Sequence, residues 1–130
     1  MKVFTDGGAR GNPGPAAIGV VVQDEQGRTV YELGRTIGET TNNVAEYRAV
    51  IGALEWIKSQ PRPAAVNFYS DSTLVVNQLQ GLWKIKQAHL KPLIDEVRRL
   101  AEGLTVTFTA IPRAQNEAAD ALVNQALDKC

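Results

Sequence analysis

Residues 2–8, Lys2-Val3-Phe4-Thr5-Asp6-Gly7-Gly8, are the segment from which the architecture of this chain can be built up. The first four are mostly apolar and Asp6-Gly7-Gly8 follows them, which predicts a short strand that runs into a turn. A second aspartate, Asp71, follows the apolar run at 65–70 in the same way. If the two strands are neighbours, their backbones lie about 4.8 Å apart. The two carboxylates would then share the carboxyl-end edge, where α/β sheets place their functional sites.

Hydrophobic periodicity divides the rest of the chain into further strands and helices. Strands are predicted at 17–22, 29–37 and 105–110, with a hairpin turn at 24–27 between the first two. Helices are predicted after residues 40–43 and up to Pro61, then at 72–79, 87–102 and 116–127. The first three strands are close enough for an antiparallel meander, whereas helices separate the last two, which can therefore run parallel to the first. The sequence thus predicts the α/β class, with a mixed five-stranded sheet of three antiparallel and then two parallel strands, flanked by helices.

Length and composition limit the classes of protein to which the chain can belong. Its 130 residues suit one domain, so residues 1–130 are predicted to form a single unit. Its 14 basic and 14 acidic side chains give zero net charge, so charge alone gives no support for a nucleic-acid partner. The N-terminus lacks the apolar run of a signal peptide, no stretch could cross a bilayer, and Cys130 is the only cysteine. We therefore expect a cytoplasmic, monomeric protein with no membrane partner.

Glu46 lies in the long predicted helix, and two roles compete for it. Asn43 could cap the helix and Glu46, three positions later, could complete a capping box. Glu46 also shares helical spacing with Val50, Ala53 and Ile57, at the head of the apolar stripe that would face the sheet. A carboxylate on a core-facing stripe is costly unless a cation or a metal ion compensates its charge. The inward position therefore favours a functional role.

A fourth acid, Asp120, falls in the last predicted helix on a polar face with Asn116 and Asn124. Taken singly, Asp120 could be a solvated helical acid, and Asp6 and Asp71 could be turn or cap residues. The case for function comes from the group, because four like charges brought together repel one another and divalent cations relieve that repulsion. Hard oxygen ligands suit Mg²⁺ or Mn²⁺, and two such ions can promote hydrolysis of a phosphodiester. The sequence holds no His/Cys cluster for zinc, and its single histidine is predicted at the surface.

Four short motifs follow one another on the predicted elements. They are Thr5-Asp6-Gly7-Gly8 with Gly11-Asn12-Pro13-Gly14, Thr41-Asn42-Asn43 with Glu46, Ser70-Asp71-Ser72, and Asn116 with Asp120. In type and order these motifs resemble those of the ribonuclease H type 1 family, and the resemblance spans nearly the whole sequence. It implies the RNase H-like fold and an endoribonuclease that hydrolyses the RNA strand of RNA–DNA hybrids, leaving 5′-phosphate and 3′-hydroxyl ends.

The resemblance also implies a role for each acid. Asp6, Glu46, Asp71 and Asp120 would bind two Mg²⁺ or Mn²⁺ ions in the active site. Asp6 and Asp71 would contact the ions most directly, and Asp120 would complete the shell of the second. Glu46 would hold one ion and accept a hydrogen bond from an RNA 2′-hydroxyl, the group that distinguishes RNA from DNA. Double-stranded RNA is a further candidate substrate.

Substrate-binding residues implied by the same resemblance surround the acids: Gly7, Asn12, Thr41, Asn42, Asn43, Ser72, Trp83 and Asn116. The asparagines at 12, 42 and 43 would touch sugars and base edges in the minor groove, and Thr41 would help to bind a DNA phosphate. From the residues alone, Asn12 and Asn42 could instead be turn residues and Asn43 a helix cap. Trp83 could pack against a DNA sugar, or lie in the core or in a surface patch.

Two features depart from the pattern of many family members. Many bacterial members carry a basic helix and loop after the third acid's helix, but residues 81–92 hold as cationic candidates only Lys84, Lys86, Lys91 and His89. We therefore expect weaker hybrid binding and a shallower salt dependence. Many members also have a histidine before the fourth acid, where Arg113 stands here. An arginine cannot act as a general base, so Arg113 would steady a phosphate or help product to leave, unless it is simply a solvated loop residue.

Other functions fit parts of the same pattern. A different nuclease of this fold, acting on DNA, would share the acids but not the surroundings made by Asn12 and Thr41-Asn42-Asn43. A non-catalytic hybrid-binding module would not need four intact acids. A plain α/β domain in which each acid is a cap would require four independent coincidences. The sequence therefore favours the ribonuclease.

Overall fold

The strands and helices follow one another in the predicted order, in a computed structural model that describes residues 1–61, 65–81 and 87–129. The strands are β1 (Lys2–Ala9), β2 (Gly14–Gln23), β3 (Thr29–Thr40), β4 (Val66–Ser70) and β5 (Val106–Ala110). The helices are α1 (Asn42–Lys58), α2 (Thr73–Leu79), α3 (Lys91–Ala101) and α4 (Glu117–Asp128), and 3-10 turns span Ala88–Leu90 and Arg113–Gln115. Within these ranges, every helix is too short or too polar to cross a membrane.

The sheet has the strand order β3-β2-β1-β4-β5. β1 pairs antiparallel with β2 and β2 with β3, whereas β4 runs parallel to β1 and β5 parallel to β4. This arrangement confirms the predicted mixed sheet of three antiparallel and then two parallel strands. Because β4 is the neighbour of β1, Asp6 and Asp71 come together at one end of the sheet.

β1 is longer than predicted, and Asp6 lies inside it rather than after it. Gly7 and Gly8 stay extended and pair with Ile18 and Ala17 of β2, so the turn predicted after Asp6 is wrong. Glycine pairs favour turns, but here β2 offers each glycine a backbone partner, and a satisfied ladder outweighs that local preference. β2 and β3 likewise extend beyond their predicted bounds, to a pairing of Gly14 with Thr40.

The helix starts follow their capping side chains. Thr41 caps α1, because its Oγ1 accepts a hydrogen bond from the N–H of Val44 at 3.3 Å. Asn43 lies within the helix, so the predicted cap and the capping box built on it are wrong. The helix predicted at 87–102 is only partly confirmed, since it opens as a 3-10 turn and α3 begins at Lys91. Pro92 then falls in the first turn of α3, where a missing N–H removes no helical hydrogen bond.

The two faces of the sheet are covered differently. α1 and α3 enclose the main core, whose buried side chains include Tyr47, Leu54, Ile57, Phe68 and Ile94. α4 packs on the other face through a smaller cluster of Ala17, Val123 and Leu127. The carboxylates of the site lie between these two layers, so α1 and α4 approach them from opposite sides of β1.

Candidate active site

Asp6, Glu46 and Asp71 converge at the end of β1 and β4. One carboxylate oxygen from each can be chosen so that all three lie within 4.8 Å of one another. β1 and β4 are in parallel register up to Phe4 and Tyr69, which places Asp6 and Asp71 two residues further along neighbouring strands. The predicted meeting of these two acids is therefore confirmed, although Asp6 is still within its strand.

Glu46 reaches the cluster from α1 because that helix comes into direct contact with β1 at Gly7. The backbone N–H of Gly7 donates a hydrogen bond to Oε1 of Glu46 at 2.5 Å. A Cβ at position 7 would lie 2.2 Å from the carbonyl carbon of Ala45, so only glycine permits this approach. Glu46 is 8% exposed, and Val50, Ala53 and Ile57 on the same stripe are buried, as their spacing predicted.

Asp120 lies on α4 at the same cleft, beside Asp6 but outside the group of three. Its Oδ2 accepts a hydrogen bond from Nδ2 of Asn124 at 3.4 Å, which confirms that the two share a helix face. Asn116, at the start of α4, is buried, and its Nδ2 donates to the carbonyl oxygen of Thr5 at 2.9 Å. That bond attaches the start of α4 to the residue that precedes Asp6.

The protonation of the acids reflects their crowding. Burial of the carboxyl, followed by the negative charge of Asp71 and contact with Asp120, raises the pKa of Asp6 from its ordinary 3.8 to about 7. Burial and then the charge of Asp6 raise the pKa of Glu46 well above its usual range, although the N–H of Gly7 acts in the opposite direction. Both pKa values are therefore raised first by burial and then by the negative charge of the neighbouring acids.

Arg113 is a cation of the cleft that pairs with one of these acids. Its Nε lies 3.7 Å from Oδ2 of Asp71, in the loop between β5 and α4 where the sequence placed it. The arginine side chain is 86% exposed, so water screens most of this attraction. One exposed arginine cannot balance four carboxylates. An all-oxygen donor set with excess negative charge fits a hard divalent cation.

The acids line an open cleft of about 670 Å³. Among the predicted substrate-binding residues, Gly7, Asn42, Asn43 and Ser72 line it with them, and Arg113 does so as well. Thr41, Asn12 and Asn116 are not among the described residues that line the cleft; Asn12 is exposed and Asn116 is buried. Trp83, like Lys84 and Lys86 of the predicted cationic stretch, lies outside the described residues, as does Cys130.

Asn12 and Asn42 hold together the loop and helix that border the cleft. Oδ1 of Asn12 accepts a hydrogen bond from the N–H of Asn42 at 3.0 Å. Oδ1 of Asn42 in turn accepts one from the N–H of Ala9 at 2.8 Å. Both carbonyl oxygens therefore serve the scaffold, while neither amide NH₂ donates to another of the residues that the structure describes.

Several cleft residues were missed by the sequence predictions, among them Arg10 and Thr73. Arg10 lines the cleft and pairs through Nη2 with Oδ1 of Asp128 at 2.5 Å. Thr73 also lines it, in the first turn of α2. The signal for Thr73 was its position two residues after Asp71. The signal for Arg10 was a cation in the glycine-rich loop that follows the first acid.

Comparison with known proteins gives one consistent result. The sequence profile of the family described as "Reverse transcriptase-like" matches residues 4–126. The crystal structure of LC11-RNase H1 in complex with RNA/DNA hybrid is 46% identical, with a TM-score of 0.93 over 98% of this chain and 96% of that one.

Curated relatives lead to the same family. "Ribonuclease HI" of Halobacterium salinarum is 44% identical over 98% of this chain and 64% of its own length. "Bifunctional protein Rv2228c" of Mycobacterium tuberculosis is 44% identical over 98% of this chain and 36% of its own length. The chain thus spans less than two thirds of these relatives. The chain belongs to the type 1 ribonuclease H family.

Proposed function

We propose that this chain is an endoribonuclease that hydrolyses the RNA strand of RNA–DNA hybrids, leaving 5′-phosphate and 3′-hydroxyl ends. The observation that carries the proposal is the convergence of Asp6, Glu46 and Asp71 within 4.8 Å in an open cleft, with Asp120 beside them. The similar LC11 enzyme was crystallised with an RNA/DNA hybrid, which supports the same class of substrate here. Residues 1–130 would act as one catalytic domain.

The four acids would hold two Mg²⁺ or Mn²⁺ ions. When bound, the ions would supply an activated water and stabilise the oxygen that leaves the cleaved phosphodiester. Asp6 and Asp71 would contact the ions most directly, because they lie side by side at one end of the sheet. Glu46 would serve the first ion and Asp120 the second, because they reach the cluster from opposite faces of β1. Gly7 would keep one oxygen of Glu46 fixed by donating to it and leave the other to accept from a 2′-hydroxyl.

Polar residues in the cleft and beside it would read the hybrid. The NH₂ groups of Asn12 and Asn42 can donate to minor-groove base acceptors and sugar oxygens, since their carbonyl oxygens are held by the scaffold. Asn43 and Ser72 border the acids and would contact the RNA strand. Oγ1 of Thr41 already accepts from Val44, so its hydroxyl proton can be donated to a DNA phosphate. The predicted contact by Trp83 stays a prediction.

Arg113 would act on the phosphate rather than on a proton. Its guanidinium is permanently charged, and its Nε lies 3.7 Å from Oδ2 of Asp71. From that place it can steady the scissile phosphate or help the 5′-phosphate product to leave. Asn116 would contribute indirectly, because it is buried and bound to Thr5. Activity on double-stranded RNA, the monomeric state and a cytoplasmic location stay predictions.

A cleavage assay on three duplexes of one sequence tests the proposed function. RNA–DNA, RNA–RNA and DNA–DNA duplexes are incubated with the chain and Mg²⁺, Mn²⁺ or a chelator. We expect metal-dependent cutting of the RNA strand of the hybrid, with 5′-phosphate on the products. Cleavage of the DNA duplex alone would favour a different nuclease of this fold, and hybrid binding without cleavage would favour a binding module.

A further inference from the structure

α4 rests directly on the backbone of the sheet at two glycines. A Cβ built on Gly19 of β2 would lie 2.2 Å from the carbonyl oxygen of Ala119. A Cβ built on Gly34 of β3 would lie 2.9 Å from the carbonyl oxygen of Leu122. Both distances are shorter than real Cβ contacts, and both neighbours are helix backbone, which cannot turn aside as a side chain can. Because Gly19 and Gly34 have no side chain, α4 can pack this closely against the sheet.

The same two glycines are in register with Asp6. Gly19 pairs with Asp6 of β1 on one side and with Gly34 of β3 on the other, so the three residues form one row across the sheet. Directly opposite residues of an antiparallel pair point to the same face. The carboxylate of Asp6 and the two glycines therefore lie on the face that α4 covers. Asp120 directly follows Ala119, the residue whose carbonyl oxygen presses on Gly19.

We propose that Gly19 and Gly34 are positioning residues for catalysis, because they let α4 lie deep enough to bring Asp120 beside Asp6. The inference rests on the proposed function, in which both acids serve one ion. A methyl group at Gly19 would have to push the helix backbone outward by about 1 Å to reach an ordinary contact, and a misplacement of that size can cost about 100-fold in rate. Two glycines that touch no substrate would thus control the site through Asp120.

Gly19→Ala and Gly34→Ala test this proposal, with Gly52→Ala as the matched control. Gly52 is also buried, but the atoms nearest to a Cβ there are the ends of three side chains and not backbone. Ile18 would lie at 3.3 Å and can shift, whereas Leu33 at 3.7 Å and Arg35 at 3.9 Å would make ordinary contacts. With the RNA–DNA hybrid and saturating Mg²⁺, we expect Gly19→Ala to lower kcat by about 10- to 100-fold with little change in KM. The smaller overlap at Gly34 predicts a smaller loss, and Gly52→Ala should keep the rate of the unmodified chain.

A double variant separates positioning from general damage. If Gly19 acts through Asp120, then adding Gly19→Ala to Asp120→Asn should cost little beyond Asp120→Asn alone. Calorimetric titration of Mn²⁺ into the substrate-free protein measures the affinity for each ion. One ion should bind more weakly in Gly19→Ala, as it should in Asp120→Asn. If the fold losses in kcat of the two single variants multiply in the double variant, Gly19 and Asp120 act independently, and the proposal is wrong.

Crystal structures of the variants make the test independent of the proposed activity. In Gly19→Ala, the distance between the carboxyl carbons of Asp6 and Asp120 should increase by about 1 Å, even if the chain proves inactive on hybrids. An unchanged distance would refute the positioning role whatever the enzyme does. If Gly19→Ala does not fold, Gly34→Ala answers the same question, because its overlap is milder.

Discussion

Oε1 of Glu46 accepts a hydrogen bond from the backbone N–H of Gly7 at 2.5 Å, and this bond joins the helix and the strand that carry two of the acids. Gly7 directly follows Asp6, so the same few atoms of β1 place one carboxylate and bind another. The missing side chain of Gly7 lets α1 come this close. Glu46 is therefore held by the backbone of β1 and not only by the packing of its own helix.

Gly7→Ala is expected to destabilise the fold and to displace Glu46. The added methyl group would lie 2.2 Å from the carbonyl carbon of Ala45 and 2.4 Å from the backbone nitrogen of Glu46, so α1 must move. Overpacking of this kind costs about 1–3 kcal/mol in the free energy of unfolding. Urea denaturation measures the loss. Gly8→Ala is the matched control, because a Cβ there meets only a Val123 methyl at 3.6 Å, and equal losses in both variants would contradict the explanation.

The metal-free protein is expected to lose stability as pH rises through the titration of Asp6. A carboxyl with a pKa of about 7 in the folded state and 3.8 as its ordinary value binds its proton more tightly when folded. Its cost to folding is thus absent below about pH 4, grows as pH rises, and is complete above about pH 7. In the absence of metal ions, removal of this charge should therefore increase the free energy of unfolding at high pH only.

Asp6→Asn isolates that effect from the other titrating groups. With a chelator present, the free energy of unfolding of Asp6→Asn, relative to the unmodified chain, should increase from pH 4 to pH 8. Urea denaturation at a series of pH values measures the difference. A difference that does not change with pH would show that the pKa of Asp6 is not raised.

Tyr47→Phe is expected to cost about 1–3 kcal/mol of stability, because it leaves a buried acceptor without its donor. The hydroxyl of Tyr47 donates to Oε1 of Gln78, and this bond links α1 to α2 inside the core. Burial raises the pKa of Tyr47 to about 12, so the hydroxyl keeps its proton at any working pH. Thermal denaturation measures the loss. Tyr47→Phe combined with Gln78→Leu should recover part of it, and a double variant no more stable than Tyr47→Phe would argue against the pair.

Arg113→Ala is expected to slow turnover of the hybrid by less than Asp71→Asn does. The guanidinium is exposed and can only assist at the phosphate, whereas Asp71 is a central member of the carboxylate cluster. Measuring both steady-state and single-turnover rates separates a role in the chemical step from a role in product release. A role in product release affects only the steady-state rate. Equal losses of rate for both variants under single-turnover conditions would contradict this ranking.

The fold and the convergence of the acids could be predicted because both follow from simple periodicity. The apolar runs before Asp6 and Asp71 indicated buried strands, and the intervening helix allowed these strands to lie parallel. The apolar stripe of α1 correctly placed Glu46 on the inner face. These are properties of single segments, and the sheet geometry then leaves little choice about where their ends meet.

The remaining details depend on partners that are distant in sequence. The extension of β1 through Gly7 and Gly8 required the ladder supplied by β2, and the local glycine signal indicated a turn instead. Thr41 rather than Asn43 caps α1 because the end of β3 fixes where the helix can begin. The bond between Tyr47 and Gln78 joins residues 31 positions apart, and no pattern within either helix indicates it.

Single-turnover cleavage of the RNA–DNA hybrid with Mg²⁺ shows whether the converged carboxylates carry out the proposed hydrolysis. The comparison is between the unmodified chain, Asp71→Asn, and Asp95→Asn, which removes an exposed acid of α3 that pairs with Lys91. We predict that Asp71→Asn lowers the rate by at least about 100-fold while Asp95→Asn leaves it unchanged. Undiminished cleavage of the RNA strand by Asp71→Asn would contradict the assignment of this site.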